Sequence, residues 1–219
     1  MDAIILAGGK GKRMNQEIPK PLILVNNKPM IQHQIDYLIG SGLIKNIIVS
    51  ISKKHLSIKN FVEKQYFKKP GKNIKFSIEN SPLGTAGGLK MALKNAVSEI
   101  VLVLNCDDFA NIDIKAFLET SKNNENVICA ANPRLDFGRV MEIKGYAVFE
   151  EKPILKNEWV NCGWYLLNRQ EMQKILPEKG SLEYDIFPNI KMKVYKHTGF
   201  WMPINTIKDA MNTIKDAMG

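Results

Sequence analysis

A chain of 219 residues and 24.8 kDa has the length of one large domain and enough residues to bury a substantial core. Apolar residues at 45% and charged residues at 24% exclude a disordered, collagen-like or coiled-coil chain. Lys and Arg number 31 against 22 Asp and Glu, and this net charge of +9 favours an anionic partner: nucleic acid, a membrane surface or a phosphorylated small molecule.

In chain order, β-rich apolar runs at 2–7, 46–51, 74–78, 100–104 and 126–131 predict strands. Amphipathic stripes lie between them: Ile31, Ile35, Leu38 and Ile39; then Leu89, Ala92, Leu93, Ala96 and Val97; then Ile114, Phe117 and Leu118. Strands alternating with helices imply βαβ units, and hence an α/β fold: a Rossmann-like three-layer α/β/α arrangement around a mostly parallel sheet. The runs at 2–7 and 100–104 are apolar nearly throughout, as central parallel strands are. From about 138 the pattern changes to strands at 139–143, 146–150 and 159–167 with short connections, which predicts a small mixed-sheet subregion. Helices follow near 169–176 and 206–218. The second of these carries a literal repeat, the seven residues 205–211 recurring at 212–218 and extending one apolar stripe. One domain over 1–219 is expected, its pattern changing near residue 135.

No apolar run reaches the ~18 residues of a membrane span, and the chain opens directly on a strand-like segment. A cytoplasmic protein without a signal peptide or membrane contact is expected. Cys106, Cys129 and Cys162 lack Cys-x-x-Cys spacing, which argues against a disulfide scaffold or structural zinc. His33, His55 and His197 show no ligand spacing and read as core or surface residues.

The chemistry-bearing residues begin where the first strand ends. Gly8-Gly9-Lys10-Gly11-Lys12-Arg13-Met14 lets backbone amides approach an anion and adds three cations. It is not a Walker A loop, because Arg13 occupies the hydroxyl position, and it lacks the third glycine of the dinucleotide fingerprint. A tight strand-to-helix turn would use the same glycines. Pro19-Lys20-Pro21 follows, two prolines stiffening the chain around one lysine.

With these residues the chain resembles the sugar-1-phosphate nucleotidylyltransferases, the NDP-sugar pyrophosphorylases. Leu6 to Met14 and Pro19 to Pro21 match their signature, with Lys12 where threonine is common. The resemblance continues in order through Ser81-Pro82-Leu83-Gly84-Thr85-Ala86-Gly87-Gly88, Leu104-Asn105-Cys106-Asp107, Phe137-Gly138, Glu151-Lys152-Pro153, Asn161-Cys162-Gly163, Ser181 to Asp185 and Gly199-Phe200-Trp201. The compact length and the last two segments look most like heptose-1-phosphate guanylyltransferases and glucose-1-phosphate cytidylyltransferases.

The resemblance implies Mg²⁺-dependent nucleotidylyl transfer from an NTP to a sugar 1-phosphate, giving an NDP-sugar and pyrophosphate. It implies a mainly nucleotide-binding half at 1–135 and a mainly sugar-phosphate half, with the C-terminal helix, at 136–219, and it implies Arg13, Lys20 and Asp107 as catalytic residues. Leu6, Ala7, Gly8, Gly9, Gly11, Lys12, Glu79, Gly84 and Thr85 would bind the nucleotide, and Gly138, Glu151, Lys152 and Asn161 the sugar phosphate. Asp107 is the implied magnesium ligand. Asn205 stands where the related pattern has a second metal-binding aspartate, so the second ligand is either that amide or Asp108. Two other readings use the same residues. A nucleotide-sugar-binding regulatory relative is favoured by Asn205, and a glycosyltransferase would use Asp107-Asp108 as a metal pair, against which the Gly8–Arg13 loop argues. Nucleic-acid binding has no reader motif behind it, and a homo-oligomer is left open.

Overall fold

The computed structural model describes residues 1–9, 18–67, 73–206 and 208–210. The strands of the first half are β1 (Asp2–Leu6), β2 (Leu24–Val25), β3 (Lys28–Pro29), β4 (Asn46–Ser52), β5 (Asn73–Glu79), β6 (Ile100–Asn105), β7 (Asp108–Ala110) and β8 (Val127–Ala131). Those of the second are β9 (Arg139–Ile143), β10 (Tyr146–Glu150), β11 (Val160–Asn168), β12 (Lys193–His197) and β13 (Trp201–Pro203). The helices are α1 (Met30–Gly40), α2 (Leu56–Tyr66), α3 (Gly84–Leu93), α4 (Ile114–Glu119) and α5 (Arg169–Ile175).

Seven strands form one sheet in the order β12-β8-β11-β6-β1-β4-β5. Every pairing is parallel except those of β11 with β6 and β8. The mixed character predicted for the second half therefore arises partly inside the main sheet, through β11, while β9 and β10 pair only with each other as a separate hairpin.

Successive strand residues face opposite sides, and two cores result. Ala3, Ile5, Ile47, Val49, Leu102 and Leu104 point to the side covered by Ile31 and Ile35 of α1, Ile58 and Val62 of α2 and Phe117 of α4. Ile4, Ile48, Val101 and Val103 point to the other, covered by Leu89 and Leu93 of α3, Met172 of α5 and the one-turn π-helix Leu182–Ile186. Truncating one of these buried leucines to alanine costs about 2–5 kcal/mol. The three layers are those the alternating pattern predicts. Of the expected helix at 206–218, residues 208–210 are helical, Ala210 is buried, and Asp209 accepts from the amides of Asn205 and Thr206 at 2.9 and 2.7 Å, an N-terminal cap. Ile207 and the second copy of the repeat lie outside the described residues.

The chain runs from β1 outward through β4 to β5, then crosses back by α3 to β6 on the other side of β1. Strand order reverses at β1/β6, and in open α/β sheets a ligand crevice opens beyond the carboxyl ends of the strands at that point.

Candidate functional site

The crevice is present where the topology puts it. Leu6, Gly8, Gly9, Ser50, Glu79, Pro82, Gly84, Thr85, Gly88, Asn105 and Asp107 line a cavity of about 410 Å³ at the carboxyl ends of β1, β4, β5 and β6. Of the residues expected from sequence, Leu6, Gly8, Gly9, Glu79, Gly84, Thr85 and Asp107 are thus brought together. Ala7 is buried beside them, its amide donating to the Ser50 carbonyl at 2.9 Å. Gly11, Lys12 and Arg13 lie outside the described residues. Lining residues absent from the expected set are Ser50, Pro82, Gly88 and Asn105. Ser50 carried a signal: it is the one polar residue inside the run Ile47-Ile48-Val49-Ser50-Ile51, and it sits toward the strand's carboxyl end.

Glu79 is 5% exposed at the cavity floor. Its Oε2 accepts from the Leu83 amide at 3.2 Å and its Oε1 from the Ser50 hydroxyl at 3.5 Å. Burial pushes the carboxyl above the usual carboxylate range, against the opposing pull of those two donors. A Cβ at Gly88 would stand 2.6 Å from Glu79 Oε1, so this glycine leaves room for the carboxylate.

Lys20 follows Pro19 in a short 3₁₀ turn, and its ammonium donates to Asp107 Oδ2 in a salt bridge, with the lysine side chain only 16% exposed. Cation and carboxylate thus meet at the cavity's edge. Cys106 between β6 and Asp107 is buried, and burial raises its thiol well above the ordinary value, which leaves it a packed, unreactive side chain.

Asp108 is differently placed. Its Oδ2 accepts from Asn105 Nδ2 at 3.0 Å and its Oδ1 from the Trp201 indole at 3.2 Å. It does not line the cavity, and burial together with the adjacent Asp107 charge pushes its pKa up to about 7. A Cβ on Gly163 would stand 2.0 Å from Asp108 Oδ2, so the left-handed glycine of β11 (φ +76) packs against the carboxylate itself. Each Asp108 oxygen thus holds one hydrogen bond within the protein, while the carboxylate itself stays outside the cavity lining. The backbone brings the alternative candidate closer: the Ile204 amide donates to the Asp107 carbonyl at 2.8 Å, which sets Asn205 immediately after a residue bonded to Asp107. Among the described residues no group of three or more His, Cys, Asp or Glu side chains surrounds a metal position. One half-buried carboxylate, with one oxygen paired to Lys20, and one nearby amide suit a hard cation that arrives with phosphate oxygens and water as its remaining ligands.

The antiparallel β11 runs beside β6 to the same end of the sheet. Trp164 lies opposite Leu104 of β6, so Asn161 to Gly163 reach the same sheet edge as Asn105 to Asp107. Asn161 donates to the Tyr165 hydroxyl at 2.8 Å and accepts from the Gly163 amide at 3.0 Å across a bulge in the β11–β8 pairing. Gly138, Glu151 and Lys152 gather at the foot of the β9–β10 hairpin, where a Cβ on Gly138 would stand 2.3 Å from the Phe149 ring. Glu151 and Lys152 are exposed, and Lys152 adopts φ 45. None of these four lines the cavity. Trp164 is fully buried, its indole donating to the Asp108 carbonyl at 3.1 Å, which is a packing role. His33 and His197 bond the carbonyls of Val25 and Phe200.

A doubly wound α/β protein with a glycine-lined crevice at its switch point, floored by a carboxylate and edged by a lysine–aspartate pair, defines a binder of nucleotide-like anions. The family model described as Nucleotidyl transferase matches residues 2–214, and the chain belongs to that family. The D-glycero-alpha-D-manno-heptose 1-phosphate guanylyltransferase of Campylobacter jejuni is 38% identical over 201 residues, covering 87% of each chain. The mannose-1-phosphate guanyltransferase of Gibberella zeae is 31% identical over 230 residues, covering 97% of this chain, which spans only 63% of that relative's length. Among solved structures, HddC from Yersinia pseudotuberculosis complexed with GMP-PN superposes with a TM-score of 0.80 at 26% identity, covering 99% of each chain. No helix among the described residues is long and apolar enough to cross a membrane.

Proposed function

We propose that this nucleotidyltransferase moves a guanylyl group from GTP to a sugar 1-phosphate, with a manno-configured heptose 1-phosphate as the first candidate acceptor. The observation that carries the choice of base is the Glu79 carboxylate in the cavity floor. Guanine presents two adjacent N–H donors, N1–H and the N2 amino group, on its pairing edge, and a carboxylate offers two acceptor oxygens. Uracil and thymine present one N–H between two carbonyls and would leave a buried carboxylate facing an acceptor. The guanylyl relatives named above support the same base and a manno-type acceptor.

In the reaction an oxygen of the sugar phosphate attacks the α-phosphorus of GTP. The bond from that phosphorus to the bridging oxygen breaks, and pyrophosphate leaves with the electron pair. No covalent enzyme intermediate is required, so the protein's work is to align the groups and neutralise charge. Lys20 would face the α-phosphate and leaving group, with Arg13 supplying the second cation. Lys152, Glu151, Gly138 and Asn161 would hold the acceptor. Asp107 and the Asn205 amide would hold Mg²⁺, which would supply positive charge between the triphosphate oxygens.

The test is pyrophosphate release measured for GTP, ATP, CTP, UTP and dTTP against heptose, mannose and glucose 1-phosphates. GTP with a manno-configured acceptor is expected to be fastest. Preferred turnover of CTP with glucose 1-phosphate would replace this reading with the cytidylyl one. Glu79→Gln is expected to raise the GTP KM about tenfold, through loss of one charge-assisted hydrogen bond, while leaving the acceptor KM unchanged. Asn205 favours a second reading, a nucleotide-sugar-binding protein without turnover; nucleotide binding with no pyrophosphate release from any pair would establish it.

A further inference from the structure

Thr85 lines the cavity, yet its hydroxyl is committed elsewhere. It donates to Glu183 Oε2 at 3.0 Å and accepts from the Leu182 amide at 2.8 Å. Both its donor and an acceptor position are therefore used within the protein. The same Glu183 oxygen accepts from the Ser181 hydroxyl at 2.7 Å, and that hydroxyl accepts in turn from the Tyr184 amide at 3.3 Å. Leu182–Ile186 is a single π-helical turn, a rare form that is frequent at functional sites.

The segment before this turn is keyed to α3. Ala86 donates its amide to the Gly180 carbonyl at 3.0 Å, and Gly180 returns its own amide to the Leu83 carbonyl at 2.9 Å. A Cβ on Gly84 would stand 2.1 Å from the Gly180 oxygen, and one on Gly87 would stand 2.3 Å from the Glu178 oxygen. Residues 178–186 thus lie against the turn that forms one wall of the nucleotide cavity. Gly84 (φ +74) is the wall's hinge-like position, with no side chain to hold it.

We propose that Glu183 is a positioning residue for the nucleotide. It acts through the Thr85 hydroxyl to fix the Gly84–Thr85 wall, and it touches neither substrate itself. Backbone bonds between residues 83–86 and 180 keep the two segments together without it, so its removal loosens the wall and leaves the fold intact. The carboxylate ties two hydroxyls from different segments to one point, because Ser181 and Thr85 share one of its oxygens, and the Leu182 amide joins them through Thr85. This inference rests on the reading of the cavity as the nucleotide site.

Equilibrium GTP binding, with separate KM values for GTP and acceptor, tests it on five variants of the full chain. Glu183→Ala should weaken GTP binding about tenfold, as expected when an acceptor shared by two hydroxyls is lost, with the acceptor KM unchanged. Glu183→Gln keeps an oxygen able to accept both bonds and should restore binding to within about twofold. Thr85→Val should weaken binding at least as much as Glu183→Ala, and the double variant should be no weaker than Thr85→Val, because both changes break one contact. Glu79→Gln serves as the reference for the cavity. If it weakens GTP binding and Glu183→Ala does not, the positioning role is wrong and the nucleotide site stands. A raised acceptor KM in Glu183→Ala, unrescued by glutamine, would make Glu183 a direct acceptor contact and overturn the proposal. If neither variant alters GTP binding, the cavity is not the nucleotide site, and the proposal falls with that reading.

Discussion

At the scale of single residues, charge is paired in advance of any ligand. Lys20 is mostly buried and bound to Asp107, so neither group reorganises far when phosphate arrives. Lys20→Met is expected to lower the rate of pyrophosphate release about 10²–10³-fold, the usual cost of one charge-stabilising donor, with the thermal transition retained. Wild-type speed in a folded Lys20→Met protein would remove this lysine from the reaction. Position 205 supplies an amide where a carboxylate would add charge, and Asn205→Asp is expected to lower the Mg²⁺ concentration giving half-maximal release. A magnesium titration checks it; an unchanged midpoint would leave Asp107 as the single protein ligand. Gly84 and Asp107 stand out in the sequence because each sits in a short motif after a strand, and Lys20 because two prolines flank it; Glu79 lies in no such motif and comes only from the resemblance. The packing role of Asp108 was not legible, since Trp201 and Gly163, which hold it in place, lie more than fifty residues further along the chain.

At the scale of elements, length decided legibility only in part: α2, with eleven residues, and β12, with five, are not among the elements expected from the sequence. Strands β1, β4, β5, β6, β8 and β11 were visible as apolar runs, because five or more residues suffice to show a period or its absence. β2, β3, β7 and β13 have two or three residues each and exist through their partners, as in the pairing of Trp201 with Ala110. The π-helical turn at Leu182–Ile186 is likewise fixed by Thr85, about a hundred residues earlier, and carries no periodicity of its own. The start of β1 shows how an element is anchored. Asp2 is 1% exposed, and its carboxylate accepts from the amides of Val97 and Ser98 at 2.5 and 2.9 Å and from Asn46 Nδ2 at 2.6 Å. Burial would raise its pKa, but those donors outweigh it and hold the carboxyl below its ordinary 3.8. A carboxyl depressed in the native state contributes stability above its unfolded-state value, and that contribution is lost as pH falls through the native value. Asp2→Asn is therefore expected to cost about 1.5–3 kcal/mol at neutral pH, with the gap from wild type closing below about pH 3.8. Urea denaturation at several pH values measures this, and a gap that stays constant into acid would show that the charge is not what anchors the strand.

At the scale of the whole molecule, the buried core and the segment proposed to hold the acceptor are different parts. The seven-stranded sheet and its two helical layers contain the buried core, whereas no residue of β10, and only Met141 of β9, is even half-buried. Val140, Ile143, Tyr146 and Phe149 are between 53% and 78% exposed, so the hairpin adds little to the core it projects from. Its feet are tied back: the Leu135 amide donates to the Pro153 carbonyl at 3.0 Å and the Leu155 amide to the Pro133 carbonyl at 2.9 Å. Those ties close the base of the segment that carries Gly138, Glu151 and Lys152. Val140 lies directly opposite Phe149, so replacing residues 141–148 by Asn-Gly joins that pair through a two-residue turn suited to an antiparallel hairpin. The shortened protein is expected to keep its melting temperature within a few degrees, because almost no buried apolar area is removed. Its GTP affinity should match wild type, since no residue of the hairpin lines the nucleotide cavity. The acceptor KM should rise about tenfold or more, because residues 138, 151 and 152 lose the strand pair that spaces them. Calorimetry, GTP binding and acceptor KM on one preparation separate the three statements. An unchanged acceptor KM would move the sugar-phosphate site away from the hairpin's foot, whereas a lowered GTP affinity would mean that hairpin and cavity are coupled through β11.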